Sequence, residues 1–453
     1  MKRIGLRAKI LFSLIALFLV GFIVLGQDYI RHNGEWVLHP ANMAIYDKGK
    51  LVVTADIMDE TGEVLVSMNG GETKYNDDKL IRESTLHAVG EPTSTIPGIM
   101  YYFKEQLIGY DIINGIYGRG NDITLTLNAE LCSIALDAMG SYKGTVGVYN
   151  YKTGEIICMV STPTYDINDP PDIAGDTTGK YEGVYMNRLT GGLYVPGSVY
   201  KVITAYAAVE NISDIYERKF ECNGSVVING EKITCTEKHG TIDFKTALAH
   251  SCNVAFAELA VELGQDIMTE YSKKAGVGER YNINGLKTAA SVYDVSNADD
   301  NALAWSGIGQ YTDMLNPCQY MVFMGAVANS GKAVTPHVVS SVKNESGISQ
   351  IIPNGSKTIN MIDADTADEL KSLMRNNVTS YYGESNYEGL NLCAKTGTAE
   401  MEGEKPHSWF AGFMDDEEYP YAFVVVVENA GFGREYAAPI AKTVLNALKG
   451  LDG

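Results

Sequence analysis

The feature that most constrains this chain is an uncharged apolar run near its N-terminus. Residues Ile10 to Leu25 read ILFSLIALFLVGFIVL, and only Ser13 and Gly21 interrupt the large apolar side chains. With the glycine that follows and the aliphatic stem of Lys9, the run approaches the roughly 20 residues that cross a bilayer as a helix. The sequence therefore predicts a transmembrane anchor over residues 10–26.

The charges on either side of this run predict its orientation. Four basic residues precede it and an acidic one follows it: Lys2, Arg3, Arg7, Lys9 and Asp28. The positive-inside rule then makes residues 1–9 a cytoplasmic tail and places the rest of the chain outside the cell membrane, as in a single-pass protein. A cleaved signal peptide is the alternative, although no A-x-A-like site follows the run. Both interpretations export the body of the protein.

The bulk composition limits the possible functions. The chain has 453 residues, 45% of them hydrophobic, which is enough for about two or three domains with full cores. Its formal net charge of −20 argues against a nucleic-acid partner, since phosphate binding needs a dense basic surface.

The seven cysteines are too dispersed, and odd in number, to form a disulfide framework. Cys222 and Cys235 flank a short glycine-containing stretch and could pair across a hairpin. With His239 they imitate part of a zinc site, but no fourth ligand stands at the usual spacing. A disulfide, a metal site and reduced thiols are the three alternatives. We favour reduced thiols and therefore expect no metal, and we expect no organic cofactor.

The patterning divides the exported part in two. Residues 27–121 are polar and weakly periodic, with two short strands around a Thr61-Gly62 turn, and are predicted to form a small β-rich, membrane-proximal, pedestal-like domain. Residues 122–453 have strands at both ends and helices between them, which predicts an α+β fold with one sheet built from distant parts of the chain. We expect strands over 122–127, 145–149, 155–160, 390–399, 409–414 and 421–428, and helices over 129–139 and 438–449.

Ser198 and Lys201 form the first motif with catalytic potential. They open an apolar helix-forming run, and positions i and i+3 of a helix lie on one face. A serine hydroxyl is a poor nucleophile until a base accepts its proton, and a lysine kept neutral by its surroundings can do so. By itself the pair is also compatible with a helix-capping serine and a solvated lysine.

Ser251 and Asn253 lie in a stretch, residues 244–259, that we predict to be one helix. Their polar groups stand among alanine and phenylalanine on a face that otherwise looks buried. Burying a hydroxyl or an amide without partners costs about 1–3 kcal/mol. Either the two side chains satisfy each other in the core, or they line a polar cleft.

Lys395, Thr396, Gly397 and Thr398 lie in a predicted late strand. A cation and two hydroxyls on an edge strand suit a peptide carboxylate, and a glycine lets a backbone approach closely. An ordinary surface strand is the alternative. Lys152-Thr153-Gly154 repeats the tripeptide, but there it is predicted to form a hairpin turn.

The order of the motifs is more specific than any one of them. S-x-x-K, then S-x-N, then K-T-G-T in a late strand is similar to the active-serine constellation of penicillin-binding proteins and class A β-lactamases. From about Asp122 to Lys449 the chain resembles class B penicillin-binding proteins, the monofunctional transpeptidases of cell division, elongation and sporulation. The further matching segments are residues 144–154, 161–166, 194–201, 307–310, 317–319, 328–331 and 409–412.

The resemblance implies a penicillin-binding transpeptidase and serine β-lactamase-like fold, and a peptidoglycan D,D-transpeptidase that β-lactams acylate. It makes Ser198 the acylated nucleophile, with Lys201 as its general base. Ser251 and Lys395 relay the proton to the leaving D-Ala. Substrate binding falls to Asn253, Thr396, Gly397 and Thr398. The backbone N–H groups of Ser198 and Thr398 form the oxyanion hole.

The resemblance also frames the alternatives. A β-lactamase needs a second base, and no E-x-x-L-N follows Asn253. A D,D-carboxypeptidase is expected to carry a C-terminal amphipathic anchor, which is not found before Gly453. A penicillin sensor or scaffold without turnover is the non-enzymatic alternative. Peptidoglycan stem peptides and β-lactams are the expected ligands, and a SEDS-type glycan polymerase is an expected partner by family analogy.

Overall fold

The computed structural model describes residues 2–39, 41–42, 45–47, 50–111, 115–116, 119–349, 352 and 356–450. Its first element is a helix of 36 residues, Lys2–Val37. Within it, Ile4–Tyr29 is long and apolar enough to cross a membrane, and its most apolar window has no residue buried against the protein. The helix is longer than the predicted 10–26 span because a helix satisfies its own backbone groups and can continue past the bilayer.

A five-stranded sheet follows the N-terminal helix. Its strands, in spatial order, are Val339–Lys343, Asp122–Leu125, Thr54–Met58, Val64–Asn69 and Glu72–Tyr75. The predicted turn at Thr61-Gly62 is confirmed, since it joins two antiparallel strands and Gly62 has a φ of 92°. The sheet combines strands from both sides of the boundary that we predict at residues 121 and 122.

The larger sheet is built from distant parts of the chain, as predicted. Its five antiparallel strands, in spatial order, are Ile156–Thr162, Gly144–Asn150, Tyr421–Val427, Glu404–Met414 and Leu392–Met401. The strand Tyr421–Val427 is almost wholly apolar because helices cover the sheet, and every residue of it after the first is buried. The lysine strand, Leu392–Met401, forms one edge.

Helices account for most of the remaining fold. The predicted helices are confirmed as Ala129–Met139 and Ala437–Lys449. The others of more than one turn are Lys79–Val89, Lys201–Asn211, Phe244–Ala249, Asn253–Lys274, Asp300–Gly307, Pro317–Ala328 and Ala364–Asn377. Short helical turns are Ile99–Tyr102, Lys104–Leu107, Arg188–Gly191, Gly197–Tyr200, Val378–Gly383 and Glu384–Tyr387.

The remaining strands form small two-stranded antiparallel sheets. Two of them form a lobe beside the helix Phe244–Ala249: Lys219–Cys222 with Gly240–Asp243, and Ser225–Ile228 with Glu231–Thr234. The others are Tyr46–Asp47 with Lys50–Leu51, Tyr110–Asp111 with Gly115–Ile116, Asn282–Ile283 with Leu286–Lys287, and Lys332–Val334 with Thr358–Asn360.

The prediction of one continuous helix over residues 244–259 is wrong. The first helix ends at Ala249 and the next begins at Asn253, with Ser251 between them at a φ of 57°. The N–H of Cys252 donates to the carbonyl of Ala247 at 2.9 Å, which closes the turn. A left-handed residue cannot continue an α-helix, so Ser251 is presented from a turn rather than from a helix face.

Candidate active site

The side chains of Ser198 and Lys201 lie next to each other, as their spacing in the sequence predicts. Ser198 lies in the 3₁₀ turn Gly197–Tyr200, which runs directly into the α-helix Lys201–Asn211. The Lys201 Nζ atom is 3.1 Å from the Ser198 Oγ atom, within hydrogen-bonding range. Ser198 is half-buried at the wall of a cleft, whereas Lys201 is fully buried behind it.

Lys201 also joins the serine turn to the turn that holds Ser251. Its Nζ atom donates to the Ser251 carbonyl and to Asn253 Oδ1, each at 2.6 Å, and lies 3.2 Å from Ser251 Oγ. The side-chain nitrogen of Asn253, Nδ2, donates to the carbonyl of Thr234 at 2.9 Å. The polar groups that looked unpartnered in sequence are therefore satisfied by the buried lysine and by the Thr234 carbonyl.

Lys395 approaches the same hydroxyl from the other side. Its Nζ atom is 2.9 Å from Ser251 Oγ and 3.1 Å from the carbonyl of Thr396. Ser251 thus bridges two lysines, and Lys201 in turn contacts Ser198. The structure brings together the two hydroxyls, two amines and one amide that the sequence motifs single out, although they come from three separate stretches of the chain.

Burial makes both lysines weak bases for their type. Loss of hydration lowers the pKa of Lys201 to about 8. Burial, and then repulsion from Lys201, hold the pKa of Lys395 well below its usual value. No carboxylate is among their described hydrogen-bond partners. A lysine in this state can lose its proton near neutral pH and accept one from an adjacent hydroxyl.

The lysine strand presents its polar side chains to the cleft. Thr396 and Thr398 alternate with buried Lys395, Gly397 and Ala399, as expected for a strand. Thr398 Oγ1 accepts from the N–H of Gly433 at 3.3 Å. On the opposite edge of the strand from its paired neighbour, the Thr396 N–H donates to Tyr382 Oη at 3.1 Å.

Gly397 is required by the protein's own packing. A Cβ atom there would lie 2.8 Å from the carbonyl oxygen of Pro196 and 2.9 Å from Cβ of Trp409. We expected the glycine to admit a ligand backbone. The structure shows that the backbone just before Ser198 already approaches it, which holds the serine turn against the lysine strand.

Gly309 seats the same turn from another direction. Its carbonyl accepts from the N–H of Gly197 at 2.8 Å. Its φ is 81°, and a Cβ atom at this position would fall 1.9 Å from the carbonyl oxygen of Gly197. The Gly307-Ile-Gly-Gln310 segment that we matched by resemblance therefore has a steric role in positioning Ser198.

The cleft has a volume of about 650 Å³. Ser198, Ser251, Asn253, Thr396 and Thr398 all line it. It also contains side chains that no motif singled out: Glu237, His250, Trp305, Tyr381, Glu400, Arg434 and Glu435. The guanidinium carbon of Arg434 lies 4.9 Å from the centre of the Tyr381 ring, a cation–π distance. Trp305 lies in the helix Asp300–Gly307, Tyr381 in the turn Val378–Gly383 and Glu400 in the lysine strand, and the others lie between named elements. None of them belongs to a recognisable motif, so the sequence carried no signal for them.

Two other sequence predictions concern residues outside this cleft. The second K-T-G copy forms a turn, as predicted, and Lys152 Nζ donates to Asn329 Oδ1 at 2.8 Å. All seven cysteines are free thiols in the structure, so Cys222 and Cys235 are not joined by a disulfide.

Comparison with known proteins identifies the family of this chain. Residues 144–446 match the family described as the penicillin binding protein transpeptidase domain. The peptidoglycan D,D-transpeptidase PbpA of Mycolicibacterium smegmatis is 29% identical over 370 residues, which cover 74% of each chain. MrdA of Haemophilus influenzae, also named a peptidoglycan D,D-transpeptidase, is 26% identical over 376 residues, 72% of this chain and 56% of that one.

Solved structures show the same fold. Penicillin-binding protein A of Mycobacterium tuberculosis, as a ceftriaxone acyl-enzyme, superposes with a TM-score of 0.78 at 23% identity, covering 87% of this chain and 98% of that one. The D,D-transpeptidase domain of an Eggerthella lenta peptidoglycan glycosyltransferase gives 0.75 at 24% identity, covering 88% and 100%. With the family match spanning most of the chain and the serine–lysine cleft lying within it, this protein belongs to the penicillin-binding protein transpeptidase family, as a class B member.

Proposed function

We propose that this protein is a peptidoglycan D,D-transpeptidase that uses Ser198 as its nucleophile. It takes the D-Ala-D-Ala end of one stem peptide, forms an acyl-enzyme, and transfers the acyl group to an amine of a neighbouring stem peptide. The observation that carries the proposal is the 3.1 Å contact between Lys201 Nζ and Ser198 Oγ, with both lysines bridged by Ser251. β-Lactams acylate the same serine.

In the first half-reaction, neutral Lys201 accepts the Ser198 proton as Oγ attacks the carbonyl carbon of the penultimate D-Ala. The N–H groups of Ser198 and Thr398 stabilise the oxyanion, and one such donor typically lowers a barrier by about 3–4 kcal/mol. The proton then passes from Lys201 through Ser251, which both lysines contact, to the departing D-Ala nitrogen. The C–N bond breaks and terminal D-Ala leaves with a neutral amine.

In the second half-reaction, the acceptor amine attacks the acyl-enzyme. The same hydroxyl–lysine chain removes its proton and returns one to Ser198 Oγ, which leaves as the free hydroxyl. Two buried lysines with lowered pKa values suit this reversible proton transfer because each gives up its proton more readily than a solvated lysine does.

The groove between the serine turn and the lysine strand supports the substrate assignments. Thr396 and Thr398 place hydroxyls on the cleft side of the edge strand, where an extended peptide can align. They would hold the terminal carboxylate, and Arg434 adds positive charge to the same cleft. Gly397 acts by keeping the strand close to Ser198. Asn253 would exchange its bond to Lys201 for one to the substrate backbone.

The N-terminal helix supports a location at the cell membrane. We propose that residues 10–26 are the anchor, residues 1–9 lie in the cytoplasm, and the catalytic domain lies outside, because Lys and Arg precede the apolar run. Residues 27–121 would form the membrane-proximal part and 122–453 the transpeptidase domain. By family analogy alone, a SEDS-type glycan polymerase is the proposed partner.

Covalent labelling by a fluorescent penicillin tests the nucleophile. The full chain in detergent should be labelled to one equivalent, and Ser198→Ala should abolish the labelling while Ser408→Ala, at a buried serine of the neighbouring strand, retains it. Stoichiometric labelling of Ser198→Ala would refute the assignment.

Product analysis tests the reaction. Incubation with nascent glycan strands that carry pentapeptide stems should yield cross-linked muropeptides and free D-Ala. We expect slow loss of the penicillin adduct, because no second base for deacylation was recognised in the sequence. Rapid nitrocefin turnover would instead indicate a β-lactamase, and release of D-Ala without cross-links would indicate a carboxypeptidase.

A further inference from the structure

A second cluster of reactive side chains lies beside the cleft. The ligand atoms of Cys222, Cys235, His239 and Cys252 are all within 4.8 Å of one another. Three of these residues belong to the small β lobe, residues 219–243, and the fourth comes from the turn between Ser251 and Asn253. We did not find this fourth ligand in the sequence, because only the fold brings Cys252 to the lobe.

The distances within the cluster fit a shared metal ion. The Sγ atoms of Cys235 and Cys252 are 4.0 Å apart, and Cys235 Sγ is 3.6 Å from His239 Nδ1. Tetrahedral zinc with Zn–S near 2.3 Å and Zn–N near 2.0–2.1 Å separates two sulfurs by about 3.8 Å, and a sulfur from a nitrogen by about 3.6 Å. A disulfide would require about 2.05 Å between the sulfurs.

The surroundings of the cluster also suit a bound cation. The His239 side chain is only 2% exposed, and its Nε2 atom forms no hydrogen bond, although a Glu237 carboxylate oxygen lies 3.5 Å away. If Nδ1 binds a metal, Nε2 carries the hydrogen and can donate to Glu237, the usual support for a metal-bound histidine. The N–H of Asn253 donates to Cys235 Sγ at 3.2 Å, as expected for a thiolate ligand.

We propose that Cys222, Cys235, His239 and Cys252 bind a structural Zn²⁺ ion. Three thiolates and one imidazole complete a tetrahedral site, which is typical of structural rather than catalytic zinc. Each thiol loses its proton to solvent on binding, and no oxidation is involved. The ion fastens the β lobe to the turn that carries Ser251 and Asn253. Its ligands are therefore positioning residues that act on the cleft through Ser251.

The backbone conformation of Ser251 explains why an additional bond to this turn would be useful. Ser251 occupies the left-handed region at a φ of 57°, a strained conformation for a residue other than glycine. Its hydroxyl must stay near both lysines, at 3.2 and 2.9 Å. A bond from the metal to Cys252, the residue directly after Ser251, would hold the turn in this conformation.

The first test is the metal content of the full chain, expressed with zinc and purified in detergent without chelator. We expect one zinc ion per chain, in the wild type and equally in Ser198→Ala, so the result does not depend on catalytic competence. Replacement by Co²⁺ should give the visible bands of tetrahedral cobalt and a near-ultraviolet sulfur-to-cobalt charge-transfer band. Absence of both zinc and the cobalt spectrum in wild type would overturn the proposal.

Variants then locate the site. Cys222→Ser and His239→Ala should lose the zinc. Glu237→Gln should weaken zinc binding about 10–100-fold. Cys132→Ala, at a buried cysteine outside the cluster, is the control and should retain one equivalent of zinc. Zinc retained by both ligand variants would contradict the assignment. If neither variant folds, alkylation of wild type decides: zinc should protect Cys235, and a chelator should expose it. Unprotected alkylation, or a disulfide to Cys235 found by mass spectrometry, overturns the proposal.

Removal of the ion should also affect the cleft. Chelation should slow acylation by fluorescent penicillin, and added Zn²⁺ should restore the rate, because Ser251 is no longer held between the lysines. An acylation rate that is unchanged in protein shown to have lost its zinc would refute the positioning role.

Discussion

The rate of acylation should depend on pH through Lys201. Burial lowers the pKa of this lysine from 10.5 to about 8. A group with this pKa is about one tenth neutral at pH 7 and about nine tenths neutral at pH 9. Only the neutral amine can accept the Ser198 proton, so the second-order rate of labelling by penicillin should rise about tenfold between these pH values and level off above them.

A single isosteric substitution should move this profile. Asn253 Oδ1 is 2.6 Å from Lys201 Nζ, so Asn253→Asp places a carboxylate against the amine. An opposite charge this close typically raises a lysine pKa by about 1–3. The midpoint should move to higher pH by this amount, and labelling at pH 7 should fall about 10–1000-fold with recovery in alkali. Asn253→Ala removes the amide without adding charge and should not raise the midpoint.

The assay is the initial rate of fluorescent labelling from pH 6 to 10, with intact protein confirmed by its unfolding transition at each pH. A flat profile in the wild type, or one that falls with pH, would refute Lys201 as the base. An equal midpoint in Asn253→Asp and the wild type would show that the titrating group is elsewhere. The lowered pKa of Lys201 also affects folding stability. Between pH 8 and 10.5 the unfolded chain binds more protons at this lysine than the folded chain does, so the free energy of unfolding should rise with pH across that window.

Two further substitutions test the framework around the cleft. Gly309→Ala places a methyl group 1.9 Å from a backbone oxygen. This variant should lose about 2–4 kcal/mol of unfolding free energy and should no longer be labelled by penicillin. Gly230 has a similar φ of 82° but no atom within 4 Å, so Gly230→Ala should lose only about 1 kcal/mol and should still be labelled. Equal effects in denaturant titrations would contradict the steric explanation. Arg188→Met leaves the Glu428 carboxylate without its 2.8 Å partner, and since the two side chains are only 3% and 18% exposed, chemical denaturation should show a loss of about 3–5 kcal/mol. A loss below about 1 kcal/mol would show that water already screens this pair.

Local patterns in the sequence predicted much of the fold. The helix at residues 129–139 and the strand predicted at 390–399 depend on side-chain periodicity over one element, so they were found within a few residues of their observed bounds. The apolar run was also found, although the helix that contains it extends well beyond the run on both sides. The Ser198–Lys201 contact was also predictable, because one helical turn sets the distance between positions i and i+3.

Prediction failed where a backbone departs from its local pattern. Residues 244–259 have the composition of one helix, yet Ser251 adopts a left-handed conformation and divides it. The cost of that conformation is offset by contacts with Lys201 and Lys395, which lie far away in the chain. Helical propensity within the segment contains no information about those contacts.

The sequence by itself determined which chemical groups are present, in what order, and which of them share a helical turn or a strand. Only the tertiary structure decided that Lys395 meets Ser251, that Gly397 makes room for the protein's own backbone, and that Cys252 reaches Cys235. The physical reason is one of range: covalent geometry sets distances within an element, whereas distances between elements result from the packing of many side chains, whose individually small contributions no single motif records.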